Sequence, residues 1–145
     1  MSPSNKKPLV LFVCIGNTCR SPMAEGLMRQ IAGDRFEVAS AGIDGYWNAA
    51  QPATITAMKE KGIDISAHAC RHIRDFSGMD LEAVFTLDSS VETVVARTLP
   101  QSVETVHWNI PDPYTGTPEN YRRVRDVIEH KIRGWLDRRE GRPPV

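Results

Sequence analysis

The sequence has few cysteines and no long hydrophobic segment. Its three cysteines, Cys14, Cys19 and Cys70, are too few and too odd in number for a disulfide framework. No stretch is apolar enough to span a bilayer. The polar start MSPSNKKP has no apolar core of the kind that signal peptides carry. We therefore expect a reducing, cytoplasmic setting, in which thiol chemistry is possible.

The chain also has no excess of charge of either sign. Its 18 Lys and Arg residues balance 18 Asp and Glu residues. A neutral chain argues against a protein that coats nucleic acid or binds a membrane surface, so neither partner is expected. The basic run RRVR at 122–125 has acidic residues around it, and we interpret it as a solvated helix face.

A metal site is not expected either. His68 and His72 have the spacing of one helix face, but no set of cysteines or carboxylates completes a zinc site with them. The sequence contains no other motif for a cofactor, so we expect the protein to work without a metal or a cofactor.

Apolar segments alternate with amphipathic segments along the chain. Residues 1–7 are predicted to form a flexible tail and residues 8–140 one domain, without repeats or linkers. Strands are predicted at 8–14, 35–42, 83–87 and 102–108, and helices at 21–33, 51–62, near 89–98 and at 118–139. The alternation predicts an α/β fold: a single-domain, doubly wound, four-stranded parallel sheet with helices on both faces.

Two of the predicted helices have distinctive ends or faces. Ser21 and Pro22 are typical of a helix N-cap and first turn, and Gly33 of a helix end. The last helix is expected to turn one apolar face inward, made of Tyr121, Val124, Val127, Ile128, Ile132, Trp135 and Leu136.

The carboxyl ends of the predicted strands collect residues with reactive or polar side chains. Ligands of open α/β sheets bind outside these ends. Cys14, Ser40, Asp88 and Asp112 all lie at or just beyond them. The sequence therefore predicts the functional site at this edge of the sheet.

The loop from Cys14 to Arg20 joins a predicted strand to a predicted helix. Unpaired amides and the helix dipole make such a helix start attractive to an anion. Gly16 allows backbone to approach the anion, and Asn17 tolerates a left-handed conformation. Arg20 can bind two oxygens of a tetrahedral anion. The pattern predicts a cradle for a phosphate-like oxyanion.

A cysteine at the base of this cradle would experience the same positive field. The field favours the thiolate form, which is the nucleophilic form of a cysteine. Ser21 could donate a hydrogen bond to the Cys14 sulfur and help it to leave later. The loop therefore has the parts for covalent catalysis.

The segment VLFVCIGNTCRSPMAE, residues 10–25, resembles the nucleophile loop of the low-molecular-weight protein-tyrosine phosphatases, a family that shares its fold with thioredoxin-linked arsenate reductases. Four further segments resemble the same family: SAG at 40–42, GIDISAHACRHI at 62–73, TLDSS at 86–90 and IPDPYTG at 110–116. The resemblance thus extends over most of the chain.

The resemblance implies a role for each residue of the site. Cys14 would be the nucleophile, Arg20 the phosphate binder, and Asp112 the general acid, which then activates water against a phosphocysteine. The rest of the site would comprise the phosphate-binding loop residues Ile15, Gly16, Asn17, Thr18 and Cys19, the supporting residues Ser21, Ser40 and His68, and the substrate-cleft residues Trp47, its neighbour Tyr46, and Tyr114. Ser40 and His68 would hydrogen-bond Asn17, with Glu25 and Asp88 as further partners.

By the same resemblance the protein is a cysteine-dependent hydrolase of phosphotyrosine or other aryl phosphate monoesters. Its partner would be a phosphotyrosine-containing protein or a small phosphoester, with phosphoarginine as another substrate class. A monomer is favoured. Some members of the family oxidise the two loop cysteines to a disulfide, which implies a reversible Cys14–Cys19 pair under peroxide.

Two other functions stay open. Arsenate mimics phosphate, but a thioredoxin-linked reductase needs two further cysteines for its relay, and only Cys70 lies in the relevant region. An arsenate reductase that uses an external small thiol needs only one cysteine. A phosphate-binding module without activity is the third possibility, although both Cys14 and Asp112 are present.

Overall fold

The computed structural model describes residues 7–101 and 103–141. Its centre is a four-stranded parallel sheet in the order β2-β1-β3-β4. The strands are β1 (Leu9–Val13), β2 (Glu37–Ala41), β3 (Ala83–Thr86) and β4 (Glu104–His107). Residue 102, at the predicted start of the fourth strand, and residues 1–6 of the predicted tail lie outside the described residues.

The last residues of the strands lie side by side. Val13 at the end of β1 is opposite Ala41 in β2 and Thr86 in β3, and Thr86 is opposite His107 in β4. All carboxyl ends therefore meet at one edge of the sheet, which is where the sequence places the candidate residues.

Helices cover both faces of the sheet. They are α1 (Arg20–Ala32), α2 (Pro52–Lys59), α3 (Glu92–Thr98) and α4 (Pro118–Arg139). Side chains of α1, α2 and α4 share one core with Phe12, whereas α3 shares a second core with the neighbouring residue Leu11. Successive side chains of a strand point to opposite faces, so the two cores lie on opposite sides. The predicted doubly wound α/β fold is confirmed.

Aromatic rings fill the core beneath α4. The rings of Phe12 and Phe85 stack with centroids 4.6 Å apart, and Phe85 also contacts Trp108 at 4.7 Å and Trp135 at 5.1 Å. Burial of one such side chain contributes on the order of 1.5–3 kcal/mol. The packing holds β1 and β3 rigidly, and both strands lead into the candidate site.

The last helix matches its predicted range of 118–139. Pro118 occupies its first turn, and the Thr117 hydroxyl accepts a hydrogen bond from the Asn120 amide at 3.2 Å. Val127 is 36% exposed, so its assignment to the inner face was wrong. The other predicted inner-face residues are buried.

The predicted start of α1 was wrong. The helix begins at Arg20, one residue before Ser21, and the preceding residue Cys19 makes no side-chain cap. The Ser21 hydroxyl instead contacts the Cys14 sulfur. Gly33 ends the helix as predicted.

The basic run at 122–125 is not wholly solvated. Arg125 is 8% exposed. Its guanidinium donates to the Ala57 carbonyl at 2.7 Å and to the Glu60 carboxylate at 2.8 Å, which ties α4 to α2. A charged side chain is tolerated in this position because its donors are satisfied.

Two further features differ from the sequence-based expectation. The segment near 89–98 is split into a 3-10 turn, Ser89–Val91, and the short α3, and a second 3-10 turn, Ile73–Phe76, was not predicted. His68 and His72 lie outside helices, so they do not share a helix face. Among the described residues, no helix has the length and apolar character that crossing a membrane requires.

Candidate active site

A cavity of about 170 Å³ opens at the carboxyl edge of the sheet. Three segments line it: the loop after β1, the segment that contains Asp44 and Trp47, and the segment that contains Asp112 and Tyr114. Cys14 and Arg20 lie in its wall together with Asp112. The fold thus brings the predicted nucleophile, phosphate binder and general acid, which are distant in sequence, to one cavity.

The backbone of the first loop is available to a bound anion. The amides of residues 15–20 donate to no acceptor within the described part of the chain. Most of these residues line the cavity, and the loop leads directly into α1. Unpaired amides at a helix start attract anions through both hydrogen bonds and the helix dipole.

Asn17 holds the loop in shape from behind. It is fully buried, and its φ of 59° lies in the left-handed region, which asparagine tolerates better than most residues. Its side-chain amide donates to the hydroxyls of Ser21 at 2.8 Å and Ser40 at 2.9 Å. Its side-chain oxygen accepts from the Arg71 amide at 2.9 Å. One side chain therefore connects the loop to α1, β2 and the segment before the 3-10 turn Ile73–Phe76.

The backbone carbonyl of Asn17 has two further partners. His68 Nε2 lies 3.0 Å from this oxygen, and Cys70 Sγ lies 3.1 Å from it. Ser40 in turn donates to the Glu25 carboxylate on α1. The structure thus places Ser40 and His68 on Asn17, with Glu25 next to Ser40.

Gly42, just after β2, allows the loop to pack closely. A Cβ atom at this position would lie 2.7 Å from the Ile15 carbonyl oxygen and 3.0 Å from the Asn17 amide nitrogen. Any larger residue would displace the backbone of the loop. No role was predicted for Gly42 or for the Arg71 amide, although Gly42 lies within the SAG segment.

The Arg20 guanidinium is anchored below the cavity. Its Nη1 donates to the carbonyls of Leu87 at 3.3 Å and Ile110 at 2.8 Å, and to the Asp88 carboxylate at 2.8 Å. The residue is 2% exposed. These contacts fix the orientation of the planar group, and Arg20 Nη2 lies 3.7 Å from Asp112 Oδ2.

Asp88 compensates the buried charge of Arg20. Burial raises the pKa of Asp88, but hydrogen bonds from Ser90 and Arg20 outweigh burial and hold this pKa below its usual value. The carboxylate therefore stays ionised at neutral pH. The stability that it contributes is present above the pKa of an unfolded aspartate and is lost as the pH falls through the folded value.

Asp112 faces the cavity from the loop after β4. Its side chain is 48% exposed, and its Oδ1 accepts a hydrogen bond from the Tyr114 amide at 3.0 Å. This contact fixes the carboxylate, while Oδ2 is directed toward Arg20. A half-exposed carboxyl group can exchange protons with both a substrate and water.

The three thiols have different surroundings. Cys14 Sγ lies 2.9 Å from the Ser21 hydroxyl, inside the cavity wall. Burial raises the pKa of Cys19 and raises the pKa of Cys70 to about 11. Cys19 and Cys70 therefore remain protonated at neutral pH. The Cys14–Cys19 disulfide stays a prediction.

Aromatic rings form the outer wall. The rings of Trp47 and Tyr114 lie edge to face with centroids 5.7 Å apart, and both residues line the cavity. Trp47 also packs over Gly16, where a Cβ atom would lie 2.8 Å from its ring. Tyr46 contacts Trp47 at 5.0 Å but is 77% exposed and is not part of the cavity wall.

The family model described as low molecular weight phosphotyrosine protein phosphatase matches residues 9–141. The chain belongs to this family. The match begins with β1 and continues to the residues just after α4, so it includes every segment of the candidate site. Within the described residues, no group of three or more His, Cys, Asp or Glu side chains is placed to hold a metal ion.

Relatives within this phosphatase family carry different names. An arsenate reductase of Staphylococcus aureus is 39% identical over 91% of this chain and 98% of its own length. The low molecular weight protein tyrosine phosphatase of T. tengcongensis is 26% identical, with a TM-score of 0.80 over 91% of this chain and 99% of its own.

A third relative is YwlE. A YwlE mutant from Bacillus subtilis is 27% identical, with a TM-score of 0.81 over 92% of this chain and 99% of its own. Another structure shows the YwlE arginine phosphatase as a cysteine-to-serine mutant with a phosphorylated active-site serine, at 27% identity and a TM-score of 0.77 over 91% of this chain and 95% of its own. The shared fold therefore supports more than one chemistry.

Proposed function

We propose that the protein is a protein-tyrosine phosphatase that hydrolyses phosphotyrosine or other aryl phosphate monoesters through a phosphocysteine intermediate. The observation that carries the proposal is the cavity that Cys14, Arg20 and Asp112 share, with the rings of Trp47 and Tyr114 as its outer wall. This arrangement combines a nucleophile, a phosphate binder, a proton donor and a surface for an aromatic leaving group.

In the first step, the Cys14 thiolate attacks the phosphorus atom. The amides of residues 15–20 and the Arg20 guanidinium bind the three phosphoryl oxygens, whose charge is stabilised as the reaction proceeds. The bond between phosphorus and the aryl oxygen breaks, and Asp112 gives its proton to that oxygen. The Ser21 hydroxyl, 2.9 Å from Cys14 Sγ, stabilises negative charge on the sulfur.

In the second step, a water molecule attacks the phosphocysteine. Asp112, now a carboxylate, accepts the proton of the water, and the bond between phosphorus and the Cys14 sulfur breaks. The sulfur leaves as a thiolate, which the hydrogen bond from Ser21 stabilises. Inorganic phosphate is released, and both catalytic groups return to their starting protonation states.

The role of Asp112 can be tested with two substrates whose leaving groups differ. We expect Asp112→Asn to lower kcat/KM for phenyl phosphate by about a hundred- to a thousandfold or more. The loss with p-nitrophenyl phosphate should be smaller, because p-nitrophenolate leaves without a proton. The measurement is kcat/KM for both substrates at mildly acidic pH, because this constant reports the first step, whereas kcat also depends on hydrolysis of the shared intermediate.

The control for this experiment is Asp80→Asn. Asp80 is exposed and lies outside the cavity wall, so its replacement should leave both rates unchanged. Equal losses of kcat/KM with both substrates in Asp112→Asn would exclude Asp112 as the proton donor to the leaving group. A folded wild-type protein that hydrolyses neither substrate would contradict the proposed function itself.

Arsenate reduction is the second candidate, because the relative at 39% identity is named an arsenate reductase. Cys14 would attack arsenate and displace an oxygen as water. An external small thiol would then attack the Cys14 sulfur, the sulfur–arsenic bond would break, and its electron pair would reduce arsenic to arsenite. A second external thiol would resolve the mixed disulfide. Arsenite release with added glutathione would establish this activity.

The domain, the oligomeric state and the cellular compartment are part of the same proposal. We propose that residues 8–140 act as one phosphatase domain, as a monomer in the reducing cytoplasm, on a phosphotyrosine-containing protein or a small phosphoester. Cys14 must stay reduced for catalysis, and such a compartment keeps it so.

A further inference from the structure

One acidic residue of the cavity wall has no role in the proposed mechanism. Asp44 lies in the segment after β2 and lines the same cavity as Cys14 and Arg20. Its side chain is exposed. A carboxylate beside a phosphate site repels an anionic ligand, and a cation on the ligand would offset this repulsion.

The backbone holds Asp44 firmly beside the nucleophile loop. The amides of Ile43 and Asp44 both donate to the Ile15 carbonyl, at 2.8 and 3.3 Å. The next residue, Gly45, has a φ of +66°, a conformation that glycine adopts easily. The backbone of Asp44 is therefore tied to the loop that follows Cys14.

Asp44 also has no cationic partner within the described residues. Its Oδ1 accepts a hydrogen bond from the Tyr46 amide at 3.1 Å, which leaves Oδ2 available. Trp47 lines the same cavity. A carboxylate and an aromatic ring in one cavity wall can together recognise guanidinium and ammonium groups.

The charges of the cavity support the same conclusion. Arg20 is the one cationic side chain among the described residues that line it, whereas Asp44 and Asp112 are both acidic. Asp88 already forms an ion pair with Arg20. In the proposed mechanism Asp112 is protonated when the substrate binds, so a positive charge next to the phosphoryl group of the ligand would offset the charge of Asp44.

We propose that Asp44 is a specificity-determining residue, which favours phosphopeptides with arginine or lysine next to the phosphotyrosine. The phosphoryl group would occupy the nucleophile loop, and the neighbouring cation would lie against Asp44 and the aromatic wall. The inference rests on the proposed phosphatase function. It adds that the preferred substrate carries a positive charge next to its phosphotyrosine.

The test compares phosphotyrosine peptides that differ only in the residue next to phosphotyrosine, which is Arg, Ala or Glu. For wild type we expect kcat/KM to be about three- to tenfold higher for the Arg peptide than for the Ala peptide, and lowest for the Glu peptide. In Asp44→Asn the Arg and Ala peptides should become nearly equal. Added salt should reduce the wild-type preference.

The matched control is Asp64→Asn. Asp64 also accepts a hydrogen bond from the amide two residues later, that of Ser66 at 2.9 Å, but it lies outside the wall of the Cys14 cavity. Its replacement changes the net charge by the same amount and should leave the preference intact. In both variants the asparagine oxygen can still accept the backbone hydrogen bond, so folding should be preserved.

Two results would overturn the inference. If wild type hydrolyses the Ala peptide but does not prefer the Arg peptide, or if Asp44→Asn keeps the full preference, Asp44 does not select the substrate while the phosphatase function stands. If wild type hydrolyses neither the peptides nor p-nitrophenyl phosphate, the proposed function is wrong and the inference is wrong with it.

Discussion

Replacing Cys14 by serine is expected to lower kcat for p-nitrophenyl phosphate by at least about a thousandfold. A serine hydroxyl at this position would remain protonated at neutral pH, and the site has no general base dedicated to it. The Ser21 hydroxyl lies 2.9 Å from the sulfur and stabilises a negative charge there without removing a proton. The measurement is the steady-state rate of p-nitrophenol release.

Cys70→Ser is the matched control for this variant. The Cys70 sulfur lies 3.1 Å from the Asn17 carbonyl oxygen, behind the loop, and a serine hydroxyl can donate the same hydrogen bond. This variant should keep nearly all of the activity. If Cys14→Ser retained substantial activity, or if Cys70→Ser lost as much as Cys14→Ser, the assignment of the nucleophile would be wrong.

The second large effect is expected for Arg20→Lys. We expect kcat/KM for p-nitrophenyl phosphate to fall by about a hundred- to a thousandfold. The guanidinium makes contacts with Leu87, Asp88 and Ile110 through Nη1 alone, which leaves its other donors for the ligand. A lysine ammonium keeps the positive charge but cannot satisfy these acceptors and present a planar pair of donors at the same time.

The measurement for Arg20→Lys includes a test of folding. The far-UV circular dichroism should match that of wild type, and inorganic phosphate should protect the variant from thermal unfolding less than it protects wild type. Arg123→Lys is the control, since Arg123 is exposed on α4, outside the cavity wall, and donates a hydrogen bond to Asn120. Unchanged phosphate protection in Arg20→Lys would contradict a role in phosphate binding.

Much of the fold could be predicted because its strands are short apolar runs separated by helices with clear ends. Pro118 at the start of α4 and Gly33 at the end of α1 are local signals. Val127 was misplaced because helical periodicity gives the direction of a face but not the width of its contact with the sheet. Arg125 is buried because α2 provides acceptors for it, and a helical pattern contains no information about such partners.

Much of the cavity lining could also be predicted from the sequence, because the strand–loop–helix motif places Cys14, Gly16 and Arg20 in one loop. The start of α1 could not. Serine is a residue type that often caps helices, but the Ser21 hydroxyl lies between the Cys14 sulfur and the Asn17 side-chain amide. A tertiary contact thus replaces the local preference for capping.

Residues outside the loop after β1 contribute to the candidate site because the fold brings distant segments of the chain together. Gly42 acts through a close approach to the loop backbone. Arg71 acts through its backbone amide, which almost every residue type has, so the residue type does not indicate this contact. Asp44 becomes part of the site because two amides of its segment bind the Ile15 carbonyl. Side-chain patterns do not reveal such backbone contacts.

The central claim is that Cys14 carries the phosphoryl group during turnover. The direct measurement is rapid quenching of Asp112→Asn with p-nitrophenyl phosphate in a denaturant at alkaline pH, which preserves the phosphorus–sulfur bond, followed by mass spectrometry of the peptides. In this variant the first step needs little proton donation, whereas hydrolysis of the intermediate lacks its base, so the intermediate should accumulate. We predict a phosphoryl group on Cys14 that disappears on further incubation. A phosphoryl group on another residue, or continued turnover with none on Cys14, would contradict the account.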